Sequence, residues 1–368
     1  MSFAARAVTC VLSLSTLGAP VLAAPAAPED ETLSLLAARY RQGRRDDALD
    51  AIAPWSAERT RREVDGLLQA RPLDPALAFA AALLHVHRAL LGSANSLDYC
   101  GQHLDAATRL VLAAADAPVT AGSAGLARRM FLLVGLARED TLDIGAAHDV
   151  VRAGLERFED DGELLTVLGM TLEAGPSMRV YDLPLDPKGR LPIAERRYTV
   201  EGDGSRGEWR SLPDSTLGQA EAAFRRALAA DPGLGEARLR LGRVRLLRGR
   251  TEEAIEDLQR VAREDGSLRR QYLARLFEAR AHEKRGHVEA AARAYQAAVA
   301  IEPEGQSAGI GLGRALDLLG RGEEAQQAFV AALGIHRQQR GDPWWSYARG
   351  DLDRLGPLVT ELQAALAR

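Results

Sequence analysis

LGRVRLLRGRTEEAIEDLQRV, residues Leu241 to Val261, reads as two short amphipathic helices meeting at Gly249. The same frame returns as EARAHEKRGHVEAAARAYQAA over Glu278 to Ala298, and as LGRALDLLGRGEEAQQAFVAA over Leu312 to Ala332. Small residues recur at Gly242, Ala279 and Gly313, and again twelve residues on at Ala254, Ala291 and Ala325. Four further come the large side chains Leu258, Tyr295 and Phe329, and three beyond those the shorter Val261, Ala298 and Ala332. A glycine separates the halves each time: Gly249, Gly286 and Gly320. The copies lie 37 and then 34 residues apart, and a fixed period of this length means a stacked array in which each unit touches only its neighbours.

The frame extends upstream. Ala220, Phe224, Ala227 and Pro232 form the second half of a repeat; Val134, Gly135, Ala147, Val151 and Gly154 open another, and Leu168 with Gly169 follows it. Leu35, Tyr40, Gly43, Ala48 and Ile52 make a weaker copy. Between them, 57–126 reads as the helices Glu58–Ala70, Pro75–Leu91 and Leu97–Ala115 without repeat landmarks.

This pattern resembles the tetratricopeptide repeat, a helix–turn–helix unit of about 34 residues. Small residues at Gly242 and Ala254 let two helices approach closely, and the large residue at Leu258, Tyr295 or Phe329 fills the space between neighbouring pairs. Glycine at the turn permits the positive φ that ends a helix. The sequence departs from the family where its tryptophan is replaced by Arg238, Arg275 and Gly309, and its tyrosine by Arg245, His282 and Leu316. The resemblance implies an all-α, right-handed superhelical solenoid. The expected divisions are degenerate helical repeats over 27–126, repeats over 127–174, an insert over 175–214, a main array over 215–340 and a C-terminal capping helix over 341–368. The insert carries Pro176, Pro184, Pro187, Pro192 and Pro213, with alternation at Met178–Leu183 and Arg197–Glu201 that predicts a short β-hairpin. Trp344 and Trp345 are expected to pack beneath the final helix, and the Asp342-Pro343-Trp344-Trp345 ending is similar to one in exported bacterial repeat proteins.

Composition supports an ordered helical core, with 46% apolar residues and only 5% aromatic. The formal net charge of −4 lacks the basic excess of nucleic-acid binders. Positive charge is nearly all arginine, the lysines being Lys188 and Lys284. Residues 1–26 read as a signal peptide: Arg6, then an apolar stretch from Ala7 to about Leu22, with small-residue cleavage rules met near Ala23 and near Ala26. This predicts a periplasmic or secreted protein whose mature chain has no stable membrane span. Cys100 would be its single cysteine, excluding an internal disulfide.

Searches for chemistry end on spacing. His282 and His287 are five apart, where a zinc-protease helix needs four. Glu201-Gly202-Asp203-Gly204 lacks calcium-loop spacing. Phosphate-binding glycine loops, nucleophile elbows and haem-attachment motifs are absent from the sequence, so the expectation is a non-enzyme with no cofactor. His85, His87, Cys100 and His103 form an alternative metal-binding reading.

The position after each small residue is arginine: Arg243, Arg280 and Arg314. The resemblance places these in the concave groove that receives peptides, with Leu239, Leu246, Leu276, Glu283, Ile310 and Asp317 nearby. A stacked arginine column favours an acidic segment or a C-terminal carboxylate through charge-assisted bonds. Internal pairing of the arginines with Glu283 and Asp317 is the competing reading. The function expected is an interaction scaffold of the bacterial envelope; the alternatives are an assembly component that self-associates, through the Trp344–Tyr347 end or the insert, and the metal-binding protein.

Overall fold

The structure, a computed structural model, describes residues 31–70, 72–91, 97–116, 121–174, 214–334 and 342–367. The expected signal peptide and nearly all of the expected hairpin insert fall outside them. All regular structure among the described residues is helical, and no helix there is long and apolar enough to cross a membrane. The chain forms two compact units.

The first unit comprises the described residues up to 154 and from 354 onward. Its helices are α1 (Leu33–Arg41), α2 (Arg45–Ile52), α3 (Ala57–Gln69), α4 (Pro75–Leu91), α5 (Leu97–Ala115), α6 (Ala121–Asp140) and α7 (Ile144–Leu155). The helices predicted over 57–126 are observed almost residue for residue. From Ala78 to Val86 every residue of α4 is buried, as an apolar helix enclosed on all sides must be. The final helix of the chain is Leu352–Leu366, and from residue 354 it counts with this unit. It buries Leu355, Leu358, Leu362 and Leu366. Gln363 donates to the Tyr40 hydroxyl at 2.9 Å, and Arg41 Nε to the Leu366 carbonyl at 2.8 Å. Burial pushes the Tyr40 phenol up to about 12.

The second unit comprises the described residues between 155 and 353. It runs α8 (Gly162–Ala174), α9 (Asp214–Ala230), α10 (Gly235–Leu247), α11 (Thr251–Glu264), α12 (Leu268–Lys284), α13 (Val288–Ile301), α14 (Gln306–Leu318) and α15 (Gly322–Gly334), followed by a 3₁₀ segment, Pro343–Arg349. Each of these α-helices packs on the next, giving four antiparallel pairs in series. The α8–α9 pair is closed across the insert, so its partners are distant in sequence.

One turn is reused. At Gly249 (φ +78°) the Gly249 N–H donates to Leu246 O and the Arg250 N–H to Arg245 O, the two bonds of a Schellman cap. Gly286 and Gly320 repeat both bonds, and so does Gly43 in the first unit, where the sequence showed only a faint copy. The same pair of bonds also closes around Leu142 at φ +62°. A leucine in the left-handed region hid that turn from a search for glycine.

Where helices cross most closely, side-chain space vanishes. A Cβ added at Gly311 would lie 2.4 Å from the Tyr295 ring, and one at Gly169 would lie 2.5 Å from Phe224. Gly311→Ala is expected to destabilise the second unit by about 1–2 kcal/mol: displacing the buried ring costs about 1–3, offset in part by alanine's better helix propensity. Urea denaturation followed by circular dichroism measures it; an unchanged or raised midpoint would show that Tyr295 yields freely.

Candidate peptide-binding groove

The first helices of successive pairs in the second unit are α8, α10, α12 and α14. The packing that fixes the pairs carries one residue of the arginine column on each of the last three. Arg243, Arg280 and Arg314 line a single cavity of about 360 Å³, together with Leu246, Leu247, Phe277, Glu283, Lys284 and Trp344. Five expected groove residues are therefore brought together: Arg243, Arg280, Arg314, Leu246 and Glu283. Ile310 (41% accessible) and Asp317 are exposed but do not line the cavity.

Leu239 and Leu276 are a correction. Both are fully buried within the hydrophobic core and offer no surface to a ligand. A first helix in such an array packs against its own partner and against both neighbouring pairs. That leaves one narrow exposed stripe, which passes through Arg280 and Arg314 but not these leucines.

The three arginines differ in state. Arg243 is tied by its guanidinium to Glu173 of α8, which is almost fully buried. Burial alone would lower the pKa of Arg243, but the facing Glu173 carboxylate and Tyr347 hold it above its ordinary value. It also lies over the rings of Tyr347 (4.7 Å), Trp344 (5.5 Å) and Phe277 (5.7 Å). Arg280 lies 5.9 Å over Trp344. Among the described residues neither Arg280 nor Arg314 has a carboxylate within ion-pairing distance, in contrast to Arg238, Arg240, Arg245, Arg269, Arg270 and Arg275 around them. Glu283 and Asp317 thus form no direct ion pair with Arg280 or Arg314, although Glu283 shares their cavity. One oxygen of Glu283 is buried without a hydrogen-bond partner. Lys284 is turned aside, donating to Leu246 O at 3.0 Å.

Trp344 finds its contacts within the second unit. It packs edge-on against Phe277 (5.7 Å) and stacks on Tyr347 (5.7 Å), forming one wall of the cavity. Tyr347 is buried and donates to Glu173 at 2.9 Å, and Arg240 donates to its carbonyl at 2.8 Å. Burial, with Glu173 and Glu236 nearby, pushes the Tyr347 phenol above its ordinary range despite Arg240 and Arg243. Sequence reasoning missed Glu173 altogether. Its signal was a lone acid in the apolar run LLTVLGMTLEA of α8, since an acid buried there must have cationic partners.

The four candidate metal ligands of the first unit do not converge. His85 and His103 share a hydrogen bond between their Nδ1 atoms at 2.8 Å, deep in the α4–α5 packing. His87 pairs instead with the Tyr40 hydroxyl at 2.9 Å, and Cys100 Sγ with Ala89 O at 3.5 Å. Burial, with His103 beside it, drives the pKa of His85 down, and that of His103 falls to about 4 through burial and Arg88. Among the described residues no group of three or more His, Cys, Asp or Glu is placed to hold a metal ion.

Paired antiparallel helices in series define a helical-repeat array. Two family models, both described as tetratricopeptide repeat, match residues 214–276 and 278–343, so this part of the chain belongs to that repeat family, a fold that serves protein–protein interaction. No curated protein matches. Solved structures similar to the chain include the crystal structure of MamA (18% identity, 56% of this chain and 95% of that one, TM-score 0.40). MamA 41-end from Desulfovibrio magneticus RS-1 gives 16%, 58%, 97% and 0.41. PilF of Pseudomonas aeruginosa gives 12%, 65%, 90% and 0.45.

Proposed function

We propose that this chain is an exported bacterial interaction scaffold, without catalytic activity, that binds an acidic protein segment or a C-terminal carboxylate at Arg280 and Arg314. The observation that carries the reading is the unneutralised pair of guanidiniums beside a cavity, in a unit where neighbouring arginines are spent on carboxylates. A carboxylate entering there would gain charge-assisted bonds worth about 1.5–3 kcal/mol each. Apolar Leu246, Leu247 and Phe277 would take the side chain that precedes it. The export part of the proposal rests on the leader-like residues 1–26.

The test is cross-linked capture from envelope and secreted fractions, using residues 27–368 with and without Arg280→Glu and Arg314→Glu. The expected result is one partner captured by the native sequence and reduced more than about ten-fold in the double variant, in line with two lost charge-assisted contacts. Capture of the same partner at the same level by both would remove the arginines from the site. Fractionation of cells expressing the whole chain tests the leader, with cytoplasmic retention the adverse result.

A further inference from the structure

The inner faces of four successive first helices are already bridged by the chain itself. Residues 342–350 run from α12 and α14 to α10 and α8 and return to α12. Asp342 accepts from the Tyr272 hydroxyl of α12 at 3.0 Å and from the Ser307 N–H at the start of α14 at 2.7 Å, and also caps Trp344 N–H at 3.0 Å. Trp344 sits on Phe277 of α12 beneath Arg280. Tyr347 lies 3.8 Å under the Arg240 guanidinium of α10, reaches Glu173 of α8 and packs edge-on to Phe277 at 5.3 Å. Arg269 closes the run on Gly350 O at 3.2 Å. An acid bonded to donors of two helices, followed at the second and fifth positions by aromatics under guanidiniums, is how a bound peptide would engage this surface.

Two features mark this strap as removable. Beside it the cavity with Arg280 and Arg314 stays open, giving an incoming chain a place to start. At its far end one Asp351 oxygen is buried without a hydrogen-bond partner, with the Arg270 guanidinium at 3.8 Å, too far to donate to it. That end of the strap is loosely fastened, whereas Tyr347 is bonded to Glu173 and lies under Arg240.

We propose that residues 342–350 are an intramolecular stand-in for the groove's partner, which presents an acidic residue followed by aromatics at the second and fifth positions and binds by displacing them. This rests on the groove reading above and gives its ligand a sequence. Partner binding is then opposed by the strap, and the affinity observed is the intrinsic one reduced by the fraction of open strap.

The experiment uses the full mature chain and a fluorescently labelled peptide of sequence DPWWSYARG, followed by anisotropy. Asp342→Ala removes the strap's bonds to Tyr272 and Ser307 and leaves every residue lining the cavity in place. The peptide is expected to bind this variant at least ten-fold more tightly than the native chain, and to lose that affinity when its own Asp is changed to Ala. Equal binding to both proteins, or binding to neither while circular dichroism shows the helices intact, would overturn the proposal. Should the variant lose its helices, hydrogen exchange of the native chain decides. Amides of 344–350 exchanging at least ten-fold faster than those of α12 support a strap that opens locally. Exchange of the two only together makes the segment a permanent wall and removes the proposal. If Arg280→Glu with Arg314→Glu abolishes partner capture while these peptide results are negative, the groove reading stands and only the strap falls.

Discussion

Glu173→Ala is expected to destabilise the second unit by about 3–5 kcal/mol, the largest effect of any single substitution considered for it. Glu173 is 5% accessible and receives Arg240 (3.1 Å), Arg243 and the Tyr347 hydroxyl. Removing it takes one of two carboxylate partners from Arg240 and leaves Arg243 unpaired at the cavity wall. Arg240 keeps Glu236 at 2.8 Å, but Arg243 keeps only its aromatic neighbours. Glu173→Gln should cost less, since the amide still accepts hydrogen bonds while the net charge goes uncompensated. The measurement is urea denaturation with hydrogen exchange resolved by helix, so that loss is read in α8 to α14 and not averaged over both units. A cost below about 1 kcal/mol would mean that water enters freely to solvate Arg243, and that the cluster is not the fastening inferred from its geometry.

The second large effect is a dependence on pH. Asp351 is pushed up to about 7, first by burial and then by Glu236 and Asp353, with Arg270 and Arg269 acting against the shift. Its folded carboxyl therefore holds a proton over a range where the unfolded one does not. Stability from this group is fully present below about pH 4, where the unfolded carboxyl is also protonated, and is lost as pH rises toward 7. The size of the loss is on the order of 2–4 kcal/mol. Glu236 is shifted the opposite way: burial would raise it, but Arg240, Arg269 and Arg270 pull it below its usual range. Its contribution fades only as pH falls through the acid range, so the two overlap little above about pH 5. Asp351→Asn should flatten the curve between pH 5 and 7 and raise the urea midpoint at pH 8. Parallel curves for the two proteins would assign the slope to other groups, such as Asp143 and Asp257, both raised chiefly by burial.

The pairing of helices was legible because it depends on local spacing. Gly242, Ala254 and Leu258 meet within one hairpin, and their side-chain sizes are the packing rule itself. The turns at Gly249, Gly286 and Gly320 were legible for the same reason, whereas Leu142 makes the same turn without the residue that announces it. Of the residues assigned to the groove, the three arginines were found lining one cavity. Leu239 and Leu276 were not, because a first helix is enclosed on three sides and periodicity alone does not say which apolar stripe is the uncovered one. Trp344 and Tyr347 were conspicuous, but their contacts are with Phe277, Arg240 and Glu173, far away in sequence. Local patterning carries no information about a partner of that kind. Glu173, Tyr347 and Arg243 form a closed set whose members each look anomalous alone and explain one another only in space.

The pairing of α8 with α9 has a kinetic consequence. Ordinary pairs here close over a few residues, but this one closes across residues 175–213. Lengthening a connection roughly ten-fold adds about 2 kcal/mol of closure entropy, which must be met before Phe224 reaches Gly169. The array from α10 onward can zip from neighbour to neighbour on local contacts, so α8 should be the last helix of the second unit to join. Every bond that Glu173 makes, including those to Arg240 and Tyr347, would then form late. Their loss would speed unfolding while leaving the folding rate nearly unchanged.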